Sequence, residues 1–160
     1  MLWKSESDAI KKDPDWKNGD YTANPVGLQL AELGALVGET SQRFNQETSR
    51  GQVFQWLDEE ARKPGPDAND HIRQMEAMMS LDASDVFGGS IEKAAAAVKA
   101  RVLVVVGTYD HVVTPGPAKD FAKLMGAGIR ELDSDCGHQA PACEEKVIVP
   151  LVTAFLASGK

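Results

Sequence analysis

An aspartate and a histidine in the last third of the chain have the types and spacing of an acid–base pair. Asp110 follows the apolar run 101–106 and a short turn, and His138 follows a second apolar segment at 128–132. An imidazole acts as a general base near neutral pH when a carboxylate bonded to its other nitrogen fixes its tautomer. We therefore expect Asp110 to orient the ring and His138 to move the proton.

The elements around these two residues are predicted to bring them together. The 101–106 run is apolar on both faces, which is typical of an inner strand of a parallel sheet covered by helices. A helix predicted over 118–125 then leads to the second strand, 128–132. Because two parallel strands joined by a helix end at the same edge of the sheet, Asp110 and His138 are expected to meet there.

Each of the two residues has a second interpretation. Aspartate is common after strands, where it caps a turn, so Asp110 needs no further role. The second interpretation of His138 is a satisfied surface histidine. The pair in this order, with each member just past a strand, is a more specific pattern than either residue alone.

A nucleophile for the pair is not evident in the chain. No Gly-x-Ser-x-Gly sequence occurs, although that is the sharp turn on which many hydrolases present their serine. Ser90 precedes a helix with no strand before it, and Ser134 and Cys136 share a turn with His138, which leaves little room for in-line attack. Cys136, His138 and Cys143 lack a second pair of ligands at zinc-finger spacing, so no metal site is predicted. The nucleophile is expected outside this chain.

The first hundred residues are predicted to be helical, and the last sixty to be a βαβα segment. We therefore divide the chain into a helical region, 1–100, and a βαβα segment, 101–160. Proline and glycine separate the helices, which are predicted at 7–12, 26–37, 41–50, from 53 to before Pro64, from Asp67 or Asn69, at 91–99 and at about 144–157.

Apolar residues at helical spacing mark the predicted core. We expect the following side chains to face inward: Ile72, Met75, Met78 and Met79 on one helix, Phe121, Leu124 and Met125 on a second, and Val147, Val149, Leu151, Val152 and Phe155 on the last. The alternative for the three methionines is that they line an apolar channel.

Composition excludes several classes of partner. The formal net charge of −7 would repel a nucleic acid or an anionic membrane surface at long range. The longest apolar stretch, 102–106, is too short to cross a bilayer. The N-terminus lacks the apolar core of a signal peptide, and two cysteines do not make a disulfide framework, so a cytoplasmic protein is expected.

Several segments resemble, in the same order, homoserine O-acetyltransferases and their α/β-hydrolase relatives. The matching segments are Ala9-Ile10-Lys11-Lys12-Asp13-Pro14-Asp15-Trp16-Lys17-Asn18-Gly19-Asp20-Tyr21, Pro25-Val26-Gly27-Leu28, Asp67-Ala68-Asn69, 103–115 and Gly137-His138. The resemblance implies an α/β protein, the C-terminal part of an α/β-hydrolase fold, with a helical lid followed by a βαβ unit and a C-terminal helix.

The same resemblance implies serine-dependent acyl transfer. An acetyl group would pass from acetyl-CoA, a substrate and not a bound cofactor, to a serine and then to a hydroxyl acceptor, with Asp110 and His138 as the triad acid and base. Two departures stand out. Gln139 follows the histidine where the family usually has an aspartate that helps to hold the acceptor's ammonium, and the family's first half, with its oxyanion donors and serine, has no counterpart here.

The partner is therefore expected to be either the missing N-terminal half or a second copy that pairs through exposed strand edges. The small-molecule ligand of this chain is expected to be an acyl substrate. The alternative is a non-catalytic helical interaction module, or a truncated and inactive α/β-hydrolase relative.

Overall fold

The computed structural model describes residues 2–35 and 38–159. The chain divides into two compact units, which are described separately: 2–35 with 45–81, and 38–44 with 82–159. In chain order the elements are α1 (Leu2–Lys11), α2 (Val26–Ala35), α3 (Ser41–Glu47), α4 (Val53–Glu60), α5 (Ala68–Ser80), α6 (Ile91–Ala97), β1 (Leu103–Gly107), α7 (Pro115–Met125), β2 (Gly128–Leu132), α8 (Ala140–Cys143) and α9 (Glu145–Ala157). Across the described ranges, no helix has the length and apolar character needed to span a membrane.

The helices lie near their predicted positions, and their ends differ for identifiable reasons. The helix predicted at 26–37 is helical through Ala35, and its last two predicted positions lie outside the described residues. Helix α7 begins at Pro115, three residues before the prediction, because proline at the first position has a helical φ and needs no hydrogen-bond acceptor. Helix α5 begins after Asp67, whose side chain caps it.

The first unit is built around a small apolar core between α1, α2 and α5. Its fully buried members are Ile10, Leu28, Ala31, Ala68 and Ile72. Trp16 and Tyr21 pack against this core from the connection between α1 and α2. A Cβ atom on Gly27 would lie only 2.4 Å from the carbonyl oxygen of Ala9. Glycine is therefore required where α1 and α2 cross.

The Asp-Pro-x-Trp segment folds into a tight turn that ties this core together. The Asp13 carboxylate accepts hydrogen bonds from the backbone N–H groups of Asp15 (2.9 Å) and Gly27 (2.7 Å). The Trp16 indole N–H donates to the side-chain oxygen of Asn69 at 2.9 Å. Asp13 and Trp16 therefore connect the segment after α1 to the first turns of α2 and α5.

The second unit contains a two-stranded parallel sheet. Strands β1 and β2 pair in register from Leu103 opposite Gly128 to Gly107 opposite Leu132, and α7 connects them. The buried cluster beside the sheet consists of Leu132, Cys136 and Ala140, with Val105 and Ile148 packed against it. The β–α–β order predicted for residues 101–132 is therefore present.

Burial is less complete than the sequence pattern predicts. Residues 103–106 of β1 are half-buried and not covered on both faces, and within the described chain β1 pairs with β2 on one side only. Leu124 of α7 and Val149 of α9 are 47% and 52% exposed, because a sheet of two strands is too narrow to cover every apolar residue of its helices. The predictions of burial were also wrong for four further residues, which are exposed: Met78, Met79, Val147 and Val152.

Candidate active site

The Asp110 carboxylate is fixed by the turn that follows β1. Its Oδ1 accepts hydrogen bonds from the backbone N–H groups of Val112 (3.0 Å) and Val113 (2.8 Å). Its side chain is 14% exposed. An aspartate that accepts from the amides two and three residues later is a common turn former. The predicted alternative role in a turn is thus present, and it occupies only one of the two carboxylate oxygens.

His138 lies on a short 3-10 turn, Gly137–Gln139, that follows β2. Its Nδ1 atom lies 2.9 Å from Oδ2 of Asp110. An ionised carboxylate only accepts hydrogen bonds, so Nδ1 carries the proton and donates. The neutral ring then has its lone pair on Nε2, which is the nitrogen that a general base uses. The side chain is 42% exposed, so solvent reaches the ring.

The hydrogen bonds also set the charge state of the acid. Burial by itself would raise the pKa of the Asp110 carboxyl group. The hydrogen bond and charge interaction with His138, and the N–H groups of Val113 and Val112, outweigh burial and lower the pKa below its ordinary value. Asp110 is therefore an anion at neutral pH, the state that stabilises a protonated imidazole.

The ends of the two strands are joined by further contacts. The N–H of Thr108 donates to the carbonyl of Leu132 at 2.9 Å, which extends the ladder beyond β1. The Tyr109 hydroxyl bonds the Asp133 carboxylate, and this hydrogen bond raises the pKa of the phenol. These contacts hold the turn after β1 against the turn after β2.

An apolar cavity of about 290 Å³ opens beside the pair. Its polar side chains are Asp110, Thr114 and His138, and its apolar lining includes Val104, Val106, Val113, Pro115, Ala118 and Pro141. A mostly apolar cavity with a few convergent polar groups is the usual form of a small-molecule site. The arrangement can therefore accept a proton from a hydroxyl or thiol that reaches the imidazole, next to room for an apolar group.

The other residues considered as nucleophiles or ligands have local structural roles. The Ser90 hydroxyl accepts from the N–H of Lys93 and caps α6, and Ser134 is buried and accepts from the N–H of Cys136. Cys136 and Cys143 form a disulfide. This bond uses both thiols, so neither the cysteine nucleophile nor the zinc site considered from the sequence fits the structure.

The disulfide is the feature of the site that sequence reasoning missed. It joins residues on either side of His138 and closes the segment that contains the 3-10 turn and α8. Two cysteines seven positions apart were the available signal. The spacing alone does not distinguish a covalent bridge from two free thiols, because the path of the backbone between the two cysteines decides whether their sulfur atoms meet.

Curated relatives of this chain are acyltransferases. The chain is 28% identical over 95% of its length to a serine O-succinyltransferase of Litchfieldella anticariensis, and 28% identical over 95% of its length to a homoserine O-acetyltransferase of Caulobacter vibrioides. It covers 49% and 47% of these two proteins, so it spans about half the length of the curated relatives it matches. No family model matches the chain.

Solved structures confirm the fold class. The homoserine O-acetyltransferase of Bacillus anthracis superposes with a TM-score of 0.84 at 23% identity, over 97% of this chain and 48% of that one. Esterase E22 superposes with a TM-score of 0.82 at 20% identity, over 97% and 49% of the two chains. The predicted resemblance to homoserine O-acetyltransferases and the predicted C-terminal portion of an α/β-hydrolase fold are both confirmed.

Proposed function

We propose that this homoserine O-acetyltransferase-like chain supplies the acid and the base of a serine-dependent acyl-transfer site. The observation that supports the proposal is the 2.9 Å contact between His138 Nδ1 and Asp110 Oδ2, with the other carboxylate oxygen fixed by two backbone amides. This arrangement selects one tautomer of the ring and leaves Nε2 as the base. The turn after β1 uses only Oδ1 of Asp110, so the contact of Oδ2 with the imidazole is additional to what the turn requires.

In the proposed reaction, His138 removes the proton of a serine hydroxyl that another polypeptide segment provides. The serine oxygen attacks the acyl carbonyl, and the imidazolium then gives its proton to the leaving group. In the second half, the same nitrogen takes a proton from the acceptor hydroxyl, whose oxygen attacks the acyl-serine ester. The imidazolium then returns this proton to the departing serine oxygen, which restores the serine hydroxyl and the neutral imidazole. Asp110 holds the ring and stabilises the imidazolium in both halves, a role that typically accounts for about 10⁴-fold in kcat.

The proposed acyl acceptor is a small hydroxyl compound. The relatives are named for transfer to serine and homoserine, and E22 is an esterase, for which water is the acceptor. Both acceptors use the same base, so Asp110 and His138 serve either reaction. We propose acetyl-CoA as the acyl donor, as a substrate and not as a resident cofactor.

The proposed partner is the N-terminal half that the relatives contain. Strand β1 pairs with β2 on one side only within the described chain, and residues 103–106 are half-buried. The N–H and C=O groups along an unpaired strand edge favour the addition of another strand. Because the apolar cavity includes Val104, Val106 and the Asp110–His138 pair, a strand added at this edge would deliver its own residues next to the base. Self-association through the same edge is the competing outcome.

Co-expression with the N-terminal half of the Caulobacter vibrioides homoserine O-acetyltransferase tests the proposal. We expect the two polypeptides to copurify and to hydrolyse p-nitrophenyl acetate, and His138→Ala to abolish the hydrolysis. His111→Ala is the matched control, because His111 is an exposed histidine close in sequence whose Nδ1 faces the Tyr109 carbonyl at 3.3 Å.

Two results would count against different parts of the proposal. A monomeric chain that light scattering shows to be unaffected by the added half would overturn the proposed partner. A complex in which the His138→Ala and His111→Ala variants hydrolyse the ester equally fast would overturn the catalytic role and favour a non-catalytic interaction module.

A cytoplasmic location stays a prediction. The Cys136–Cys143 disulfide is of a kind that is rare in cytosolic proteins and common in oxidising compartments. Titration of free thiols in protein isolated under alkylating conditions distinguishes a cytosolic location from an oxidising compartment. A chain from the cytosol is expected to have both cysteines free and therefore alkylated.

A further inference from the structure

The turn that carries His138 is held by a segment almost a hundred residues earlier in the chain, Gly38–Arg43, which we name the 38–43 segment. Thr40 donates two hydrogen bonds to the carbonyl oxygen of Asp135: one from its backbone N–H at 3.1 Å and one from its hydroxyl at 2.7 Å. A carbonyl oxygen has two lone pairs, so Thr40 uses the full acceptor capacity of this group. Asp135 lies three residues before His138.

The same segment also binds the Asp135 side chain. The Arg43 guanidinium lies 3.3 Å from the Asp135 carboxylate through Nη1, and its Nε lies 3.4 Å from the Glu39 carboxylate. The Thr40 hydroxyl accepts from the N–H of Arg43 at 3.2 Å and so caps the first turn of α3. The backbone carbonyl and the side chain of Asp135, three residues before His138, are therefore both bound by the 38–43 segment.

Gly137, the residue before His138, is in close backbone contact with two other segments. Gly137 has a φ of +58°, and a Cβ atom there would lie 2.7 Å from the carbonyl oxygen of Gly38. A Cβ atom on Gly107 at the end of β1 would lie 2.7 Å from the carbonyl oxygen of Gly137. The backbone next to His138 is thus packed against both the end of β1, which leads to Asp110, and the 38–43 segment.

We propose that the 38–43 segment is a positioning element for the general base, in which Thr40 and Arg43 fix Asp135 so that His138 Nδ1 stays on the Asp110 carboxylate. The inference rests on the proposed function of the Asp110–His138 pair. A hydrogen bond of 2.9 Å is lost when the ring moves by about 1 Å, and displacements of that size cost about 10²-fold in rates that depend on alignment. Thr40 and Arg43 act through Asp135 and are positioning residues.

The test observes the histidine directly in the isolated chain. Long-range ¹H–¹⁵N spectra of the imidazoles at about pH 9, where an imidazole is neutral, report which ring nitrogen carries the proton. We expect wild-type His138 to be a single tautomer with the proton on Nδ1, and its signals to be identified by their loss in His138→Gln. The double variant Thr40→Val/Arg43→Gln is expected to show a mixture of both tautomers.

The control variant removes the same chemical groups elsewhere. Thr153→Val/Arg73→Gln deletes a threonine hydroxyl that donates to the Val149 carbonyl in α9 and an arginine that pairs with Glu76 in α5. This control is expected to keep the wild-type His138 spectrum. Thr40→Ser, which retains the hydroxyl, is expected to keep it as well. Urea unfolding of each variant measures loss of stability separately, because a merely structural role would lower the unfolding midpoint without changing the tautomer in the folded chain.

The outcomes separate this proposal from the proposed function. A folded Thr40→Val/Arg43→Gln variant with an unchanged tautomer overturns the positioning role. If the double variant does not fold, Thr40→Val alone is compared with Thr40→Ser in the same way, and identical spectra again overturn it. A wild-type tautomer that does not change in Asp110→Asn shows that the pair itself is not formed, which overturns the proposed function and this inference with it.

Discussion

Two aspartates, one in each unit, make nearly the same local structure. Asp67 accepts from the N–H groups of Asn69 and Asp70 through Oδ1, and its Oδ2 accepts from the hydroxyl of Tyr21 at 2.7 Å. Asp110 accepts from two backbone amides through Oδ1, and its Oδ2 faces an imidazole at 2.9 Å. The carboxyl pKa is lowered in both.

The difference lies in the residue that each carboxylate binds. The Tyr21 hydroxyl bonds Asp67 and also accepts from the N–H of Asn69 at 3.0 Å, and the pKa of the phenol is raised, mainly by burial and then by the bond to Asp67. This phenol keeps its proton at neutral pH, so the contact fixes structure. The imidazole of His138, with its Nδ1 proton on Asp110, instead has a lone pair on Nε2 that can accept a proton. The turn is therefore not what makes the Asp110 site chemically useful; the imidazole that Asp110 binds is.

The largest expected effect comes from the same substitution at the two aspartates. Asp110→Asn, in a complex reconstituted with an N-terminal half, is expected to lower kcat for ester hydrolysis by about 10⁴-fold, because an amide that donates to Nδ1 selects the wrong tautomer. Asp67→Asn is expected to keep the wild-type kcat, since asparagine also caps a helix, while it removes the carboxylate acceptor of the Tyr21 hydroxyl. Ester hydrolysis assays at matched protein concentrations measure kcat for both variants. Similar losses of kcat would show that the two aspartates do not differ in their importance for the reaction.

Much of this comparison was accessible from the sequence. The strand that ends before Asp110, the crossover helix and the second strand at 128–132 follow from apolar runs and turn residues, and they place Asp110 and His138 at one edge. The Asp67 cap at the start of α5 follows from the residue type as well. The sequence does not give the bonds from Tyr21 to Asp67 or from Thr40 to Asp135, because these contacts join residues that are distant in sequence.

Burial was predicted less well, for a related reason. Periodicity identifies the apolar face of a helix but not how much surface lies opposite it. Helix α9 has apolar residues at 147, 149 and 152 that are exposed, since β1 and β2 alone cannot cover them. The valines of β1 match a covered inner strand in type, yet within this chain they lie beside an unpaired edge.

The second prediction concerns what holds Tyr21 and His138, the residues that bind Asp67 and Asp110. Tyr21 packs on the apolar core of the first unit, whereas His138 is half-exposed and its turn is closed by the Cys136–Cys143 disulfide. Cys143→Ser is therefore expected to lower the free energy of unfolding by about 2 kcal/mol, because it restores freedom to a short loop in the unfolded chain. Urea unfolding measured with and without dithiothreitol checks this. The reductant should destabilise wild type and leave the variant unchanged.

The third prediction sharpens the structural side of the comparison. Tyr21→Phe keeps the ring on the core and removes the hydroxyl that Asp67 and Asn69 share. The expected loss of stability is about 1 kcal/mol, the usual net value of such a hydrogen bond, and kcat of the reconstituted complex should stay at the wild-type level. A variant that lost activity without losing stability would instead connect Tyr21 with the reaction.

The smallest expected effect is on the pH dependence of stability. Both carboxyl groups have a folded pKa below the unfolded value, which is about 3.9 for aspartate. A group of this kind stabilises the fold above the unfolded pKa, and the contribution is lost as the pH falls through the folded pKa. Urea unfolding between about pH 6 and pH 2 is therefore expected to show a steeper loss of stability for wild type than for Asp110→Asn or Asp67→Asn, since neither asparagine titrates. Equal slopes for wild type and Asp110→Asn would mean that the hydrogen bonds to Asp110 do not lower the pKa of its carboxyl group in the folded chain.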